Sequence, residues 1–333
     1  MAYEIWNRRY TGSKFKLADW IFEIIDNNCT GDSFCDIFAG TGIIAQHAIK
    51  KMQKVIVNDF LYSNEIIYKA FFLQDPFDIE KINEYKTQFQ NINVLDIKDN
   101  YVSVNYGGKF FSYNDSLLIG EIRDIIDALT DLNEKERAIL IASLLYSADK
   151  AANTVGHYDA YIKGHPIPDT FKFDLISPYT TAANIEIHRE DANGLAKTLN
   201  VDIVYIDPPY NSRQYSRFYH VLENLTTWKK PKLYGEALKP EPENMSEYCR
   251  NGALKAFSDL IRNLQCKYIV VSYNNTYASK STSSRNKMTL ENIKELLETK
   301  GELTCFEKEH AFFNAGKTDF TGHKEFIFLV KVN

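Results

Sequence analysis

Four β-favouring residues, Ile203-Val204-Tyr205-Ile206, run directly into Asp207-Pro208-Pro209-Tyr210. Neither proline can donate to a sheet ladder and each holds its own φ, so the pair ends the strand and stiffens the loop behind it. The pattern predicts a buried strand whose carboxyl end carries a rigid loop, and in an open α/β sheet that edge is where ligands bind. An acceptor carboxylate, an outward carbonyl and a flat ring together suit the amino group of a nucleobase.

Other stretches read as further βα units. Phe34 to Phe38 is a short apolar strand, followed by Ala39-Gly40-Thr41-Gly42 and a helix from near Ile43. Strand, Gly-rich turn and helix make the nucleotide-binding arrangement, in which the backbone lets a ligand approach the head of the helix. The phrase is FxGxG and lacks the third glycine of a dinucleotide site, which suits a smaller adenosine cofactor. Taken alone it equally fits a tight connection that binds nothing. The second strand, Val55 to Val57, leads to Asp59, 17 residues beyond Gly42. An acid there is placed to grip a ribose, or else it caps a helix starting near Leu61; the local sequence leaves both open. A third strand, Ile185 to Ile187, leads to Asp191, and a fifth, after the Ile203 to Ile206 strand, runs from Tyr268 to Val271 and leads to Ser272-Tyr273-Asn274. Leu303 to Phe306 and Phe326 to Val330 read as an antiparallel pair closing the sheet. Ahead of the first strand, Leu17, Ala18, Ile21, Ile24 and Ile25 share one helical face, with Ser13 as N-cap.

Between residues 62 and 184 this alternation stops. Gly107-Gly108 between aromatic flanks predicts a hairpin. A helix with Leu118, Ile122, Ile125 and Ile126 on one face should follow, then a second opening at Asn133 with Glu136 three residues on, a capping box, and carrying Leu140, Leu144 and Leu145. The block reads as a mostly helical insert, so residues 1–61 and 185–333 would form one α/β domain and 62–184 a second unit. His157 and His165 are assigned structural roles. At 333 residues the chain has room for both.

A net charge of -5 argues against a protein that coats nucleic acid indiscriminately, but not against a local basic face. Two stretches offer one. Arg213 and Arg217 follow the Pro-Pro loop without an intervening acid. Lys280, Arg285 and Lys287 lie among serines, a composition that fits phosphate contacts or a solvated loop. The five cysteines form no CxxC pair, so neither a disulfide framework nor a metal site is expected. No amino-terminal stretch joins a basic start to an apolar run, and no window is apolar enough to span a membrane, so a cytoplasmic location without membrane partners is expected.

These signals come in one order: Gly12-Ser13-Lys14, FxGxG, Asp59, Asp191, Asp-Pro-Pro-Tyr. The order resembles the DNA adenine-N6 methyltransferases of the alpha (Dam-like) class. The wording Val57-Asn58-Asp59-Phe60-Leu61-Tyr62-Ser63-Asn64 and Pro208-Pro209-Tyr210-Asn211-Ser212-Arg213-Gln214-Tyr215 is similar to the methylases of restriction-modification systems in that group. The resemblance runs from about Tyr10 to Val330 and is least secure in the insert. It implies a Rossmann-like, S-adenosylmethionine-dependent methyltransferase sheet with an inserted target-recognition subdomain. It implies, too, that Phe38, Ala39, Gly40, Thr41 and Gly42 wrap the methionine half of the cofactor, with Tyr10 and Lys14 contacting it from the amino-terminal side. Asp59 would hold the ribose and Asp191 the adenine amino group, while Asp207, Pro208 and Tyr210 meet a target adenine flipped out of double-stranded DNA. A cognate restriction endonuclease is the implied genetic partner.

Three rival readings exist. Some enzymes that modify amino groups of RNA bases share the Asp-Pro-Pro-Tyr loop, but they generally lack so long an insert between the second and third strands. A catalytically silent nucleic-acid-binding homologue would not need the whole motif set. A dehydrogenase would need the third glycine and has no use for the tetrapeptide.

Overall fold

Helices and strands alternate at both ends of the chain and helices alone fill its middle. In the computed structural model, which describes residues 2–275, 285–309 and 324–333, the order is α1 (Ala18–Asn28), β1 (Ser33–Asp36), α2 (Ile43–Ala48), β2 (Lys54–Asn58), α3 (Tyr62–Phe72), α4 (Ile79–Gln90), α5 (Tyr101–Tyr106), α6 (Tyr113–Ala128) and α7 (Glu134–Ala151). There follow β3 (Asn184–His188), α8 (Ala192–Leu195), β4 (Ile203–Ile206), α9 (Tyr215–Phe218), α10 (His220–Thr227), α11 (Ala253–Asn263), β5 (Tyr268–Asn274), α12 (Leu290–Glu298), β6 (Gly301–Glu309) and β7 (Lys324–Val332). Among the described residues no helix is long and apolar enough to cross a membrane.

Two compact units result. The sheet unit comprises Lys14–Phe60, Ala182–Tyr215 and Asn244–Asn333. Its seven strands lie in the order β3-β2-β1-β4-β5-β7-β6. All pairings are parallel except those of β7, which runs antiparallel between β5 and β6. The antiparallel pair expected at the end of the chain is therefore present, with its second strand wedged inside the sheet. The central strands are buried on both faces, as parallel strands covered by helices must be. Side chains alternate in direction with period two. Cys35, Ile56, Val204, Ile206, Ile269, Val271, Phe328 and Val330 pack with α8, α11 and α12. Phe34, pointing to the other face, meets Phe22 of α1, ring centroids 5.9 Å apart.

The helical unit comprises Met1–Ser13, Leu61–Thr181 and Ser216–Glu243. It thus takes in two segments expected to lie with the sheet, and the reason is long-range hydrogen bonding. Tyr3 exchanges backbone bonds with Leu175 and Ser177, each 2.8 Å, and the Arg9 N–H donates to Asp149 at 2.9 Å. Glu223 of α10 accepts from the Tyr62 and Ser63 N–H groups that open α3, at 3.1 and 2.7 Å. Arg123 of α6 donates to the Leu225 and Thr226 carbonyls that close α10. Helix ends leave such groups unpaired within the helix, and here partners distant in sequence satisfy them.

The capping box at Asn133 and Glu136 forms as expected and starts α7. The hairpin at Gly107-Gly108 does not form. Asn100 and Ser103 make another capping box and start α5, and Gly108, at φ 70°, turns the chain into α6 with its N–H on the Phe111 carbonyl at 2.9 Å. Ser13 is not an N-cap either, since α1 starts at Ala18 behind Leu17.

Candidate active site

The ends of six strands bring their following residues to one edge of the sheet. Across it stand Asp191 (after β3), Asp59 (after β2), Asp36 (ending β1), Asp207 (after β4), Asn274 (ending β5) and Glu325 (near the start of antiparallel β7). Register ties them: Asp36 lies beside Tyr205, and Asn274 beside Glu325.

Asp207 follows a strand whose four residues are all buried. Its Oδ2 accepts from the Lys14 ammonium at 2.9 Å, while Oδ1 is buried with no hydrogen-bond partner among the described residues. Burial pushes the Asp207 carboxyl above its ordinary value, and Lys14 pulls the other way. Lys14 is itself 5% exposed. Burial opposes its charge, but Asp207 and then Glu325 outweigh that cost and hold the ammonium ionised. The lysine expected at the cofactor is thus bound to the strand-end carboxylate.

Tyr210 packs its ring edge-on against Tyr273, centroids 6.2 Å apart, and its carbonyl accepts from the Lys287 N–H at 2.7 Å. Burial raises its hydroxyl to about 12 against the pull of Lys14, and the hydroxyl hydrogen-bonds with Asn274. The same Asn274 side chain hydrogen-bonds with Glu325 and is held from behind by Asn286, whose Nδ2 reaches the Asn274 Oδ1 at 3.1 Å.

The glycine turn is built as its sequence requires. Gly40 and Gly42 have φ of 53° and 79°, backbone conformations that a side chain would strain. The Gly40 N–H donates to Asp59 Oδ2 at 2.9 Å, so Asp59 ties the turn to β2. It does not cap α3, whose first N–H groups go to Glu223. Asn58, 1% exposed, bonds the Ile37 carbonyl and both backbone groups of Glu190. Those bonds clamp the exits of three neighbouring strands. Because α2 is only six residues long, the turn and its acids, rather than a helix dipole, define this part of the edge. Thr41 is buried, Ala39 bonds the Asn58 carbonyl, and Phe38 packs edge-on against Tyr248, centroids 5.0 Å apart. Asp191 is exposed and accepts the Asn193 and Gly194 N–H groups, opening α8.

Three residues were not anticipated. Asp36 is 1% exposed and neither of its oxygens makes a well-formed hydrogen bond among the described residues. Burial, then Asp207 and Asp59, push its carboxyl well above the usual range, with the Ala45 N–H pulling the other way. Glu325 and Asn274 are the others. Asp36 sits inside a stretch that reads as apolar, whereas Asn274 and Glu325 fall just outside the strands read from the sequence and inside the longer ones observed.

The remaining predicted residues are dispersed. Tyr10 belongs to the helical unit, stacked on Tyr219 at 4.8 Å with the Arg8 guanidinium over its ring. Arg217, in the same unit, donates to the Pro240 carbonyl. Arg213 belongs to the sheet unit, where its carbonyl accepts from the Cys249 thiol at 3.2 Å. Arg285 is exposed and Lys287 half-buried; Lys280 lies outside the described residues. All five cysteines are free thiols, and no group of His, Cys, Asp or Glu among the described residues is placed to hold a metal.

Residues 10–296 match the model of the D12 class N6 adenine-specific DNA methyltransferases. The chain belongs to that family. Its activity is the transfer of a methyl group to the N6 amino group of adenine in DNA, on a Rossmann-like methyltransferase sheet carrying an inserted helical unit. It is 31% identical to the Type II methyltransferase M.CviAII of Paramecium bursaria Chlorella virus 1, over 97% of this chain and 98% of that one. To the Type II methyltransferase M.NlaIII of Neisseria lactamica it is 29% identical over 95% of both chains. The Type II methyltransferase M.FokI of Planomicrobium okeanokoites is 32% identical over 80% of this chain but only 44% of its own length.

Proposed function

We propose that this enzyme is the modification methylase of a restriction-modification system, using S-adenosylmethionine as methyl donor and Asp207, Pro208 and Tyr210 as the clamp on a flipped-out adenine. The observation that carries the reading is the orphaned Asp207 Oδ1, buried at a strand end beside a carbonyl that has no N–H of its own to compete. Buried polar atoms in native proteins are normally paired, so an orphan of this kind marks a missing ligand atom.

The exocyclic nitrogen of adenine is a poor nucleophile because its lone pair is delocalised into the ring. Asp207 Oδ1 and the Pro208 carbonyl, each accepting one amino hydrogen, bend that nitrogen towards tetrahedral geometry. Positive charge then grows on nitrogen, and the fixed carboxylate stabilises it. Asp207 need not be a strong base, since the methylated ammonium is acidic and water takes its proton. The Tyr210 ring gives the extruded base a face to stack on.

S-adenosylmethionine, when bound, supplies an electrophilic methyl group on a sulfonium. The edge suits it, since a sulfonium and an α-ammonium are cations and Asp36 and Glu325 offer buried carboxylate oxygens without partners among the described residues. Phe38, Ala39, Gly40, Thr41, Gly42, Tyr10 and Lys14 are the candidates for the methionine half, Asp59 for the ribose and Asp191 for the adenine amino group. Arg213, Arg217, Lys280, Arg285 and Lys287 are the candidates for DNA phosphates, and the helical unit is the candidate reader of the target sequence. The relatives named Type II methyltransferases support the restriction-modification role and with it a cognate endonuclease as genetic partner.

Labelled methyl transfer into unmethylated genomic DNA, followed by sequencing for N6-methyladenine, tests the reading. Label confined to one short motif is expected. Label scattered without sequence preference would overturn the modification role, and normal transfer by Asp207→Ala would overturn the clamp.

A further inference from the structure

Lys14 pairs directly with the Asp207 carboxylate and feels the charge of a second one, Glu325, which is not part of the clamp. Asp207 takes its ammonium directly at 2.9 Å. Glu325, 6% exposed, is the other carboxylate acting on that charge. It sits two strands away across β5, a span of about 10 Å at ordinary strand spacing. One Glu325 oxygen hydrogen-bonds with Asn274, and Oε2 has no partner among the described residues. Inside a strand reading Lys-Glu-Phe-Ile-Phe-Leu-Val, a glutamate contributes nothing to the core and costs desolvation.

The arithmetic of charge explains what it does. An ionised Asp207 paired with Lys14 is neutral as a unit, so it stabilises positive charge growing on the adenine nitrogen less than an unpaired carboxylate at the same place would. A second carboxylate behind the lysine restores a surplus negative charge. We propose that Glu325 is a positioning residue for methyl transfer, which offsets the charge of Lys14 so that the Lys14–Asp207–Glu325 cluster as a whole is net negative as the amino group becomes cationic. The inference rests on the reading of Asp207 as the clamp.

The groups around Glu325 support this. Burial raises its carboxyl to about 7; Lys14 pulls it down, Asp207 pushes it up, and Asn274 pulls it down. From β4, Tyr205 contributes a buried hydroxyl that feels Asp207, Asp36 and Glu325. Tyr210 faces the same cluster from the loop. On β6, Lys308 stands opposite in register, and the adjacent Lys324 is held by Glu307 at 2.7 Å. Glu325 therefore changes charge near neutrality, and the surplus negative charge is present above that pH and absent below it.

Single-turnover methyl transfer to unmethylated genomic DNA, measured from pH 5.5 to 8.5, is the test. For a unit charge about 10 Å away in a medium of effective dielectric about 20, the wild-type rate should rise about tenfold across neutrality. Glu325→Gln should be flat and should match the wild type only at the acid end, while Glu325→Asp should keep the rise. A Glu325→Gln enzyme with the wild-type profile overturns the inference, and so does a flat wild-type profile, which stands even if the variant fails to fold. Asp207→Ala, run alongside, separates the two claims. Normal transfer by that variant removes the clamp itself. A silent Asp207→Ala beside a wild-type Glu325→Gln profile removes Glu325 alone.

Discussion

The two units bury their carboxylates in opposite ways. In the helical unit every buried carboxylate is answered: Asp149 by the Arg9 N–H and the Tyr158 hydroxyl, Asp115 by the Thr170 and Phe171 N–H groups, Glu223 by the head of α3. Its most buried lysine, Lys135, spreads its ammonium over the Lys69, Ala70 and Leu73 carbonyls. In the sheet unit the carboxylates at the strand ends keep oxygens without partners among the described residues. Partnerless uncharged atoms are not confined to the sheet unit: among the described residues Ser63 Oγ and His220 Nε2 of the helical unit are of that kind. Satisfied charge holds a fold together, whereas unsatisfied charge held in place by a rigid sheet is set aside for something that arrives later.

The sharpest way to break this contrast is Asp207→Ala. Loss of one fixed electrostatic partner should slow methyl transfer by on the order of a hundred- to a thousandfold. Cofactor binding, followed by equilibrium titration, should be nearly unchanged. A thermal melt should show some loss of stability, because Lys14, 5% exposed, is left without its direct carboxylate partner. A variant that melts early and methylates normally once folded would place Asp207 with the structural charges of the other unit.

Lys135→Met is the converse. The hydrophobic stem is kept, but the carbonyls closing α3 lose their donor, at a cost of about 2 kcal/mol for buried groups left unpaired. Denaturant unfolding should register that loss, while the single-turnover rate of the folded fraction stays at the wild-type value. A rate defect larger than the stability defect would show that the helical unit's buried charge also serves the reaction.

Glu325→Gln joins the two scales in one residue. With its carboxyl raised to about 7, the folded protein holds a proton between about pH 4.5 and 7 that the unfolded chain releases. Stability therefore falls as pH rises through that window. The amide should remove the penalty and make the protein more stable than wild type at pH 8, by on the order of 2 kcal/mol, with no difference near pH 4.5. Equal melting curves at pH 8 would mean that Glu325 is not held at a cost.

Much of the sheet unit was legible because its signals are local. Apolar runs closed by Gly, Asp or Pro-Pro mark β1, β2 and β4, and Asn133 with Glu136 marks the start of α7. What stayed hidden depends on crossover topology. Residues 14, 36, 207 and 325 meet only because β1, β4, β5 and β7 lie side by side, an order no periodicity encodes. Asp36 was overlooked because an acid inside an apolar strand is unremarkable until its neighbours are known, and Glu325 because it precedes the apolar run that reads as the last strand. The Gly107-Gly108 error has a local cause: glycine pairs serve helix connections as well as hairpins, and the Asn100 cap was the competing signal. That residues 1–13 and 216–243 join the helices is decided by pairs such as Arg9 with Asp149 and Arg123 with Leu225, more than 100 positions apart in each case.

The smallest expected effect probes where the clamp ends and its support begins. Were Tyr210 only a stacking surface, Tyr210→Phe would be silent and Tyr210→Ala damaging. But its hydroxyl hydrogen-bonds with Asn274, the residue that also holds Glu325, so removing the oxygen frees the amide that steadies the carboxylate. A hydrogen bond of this kind is worth about 1 kcal/mol, and Tyr210→Phe should accordingly lose several-fold in single-turnover rate. The loss should be smaller in a Glu325→Gln background, where there is no carboxylate left to steady, and a double-mutant cycle measures that coupling. Full additivity would confine Tyr210 to the face of the base and leave Glu325 to act through Lys14 alone.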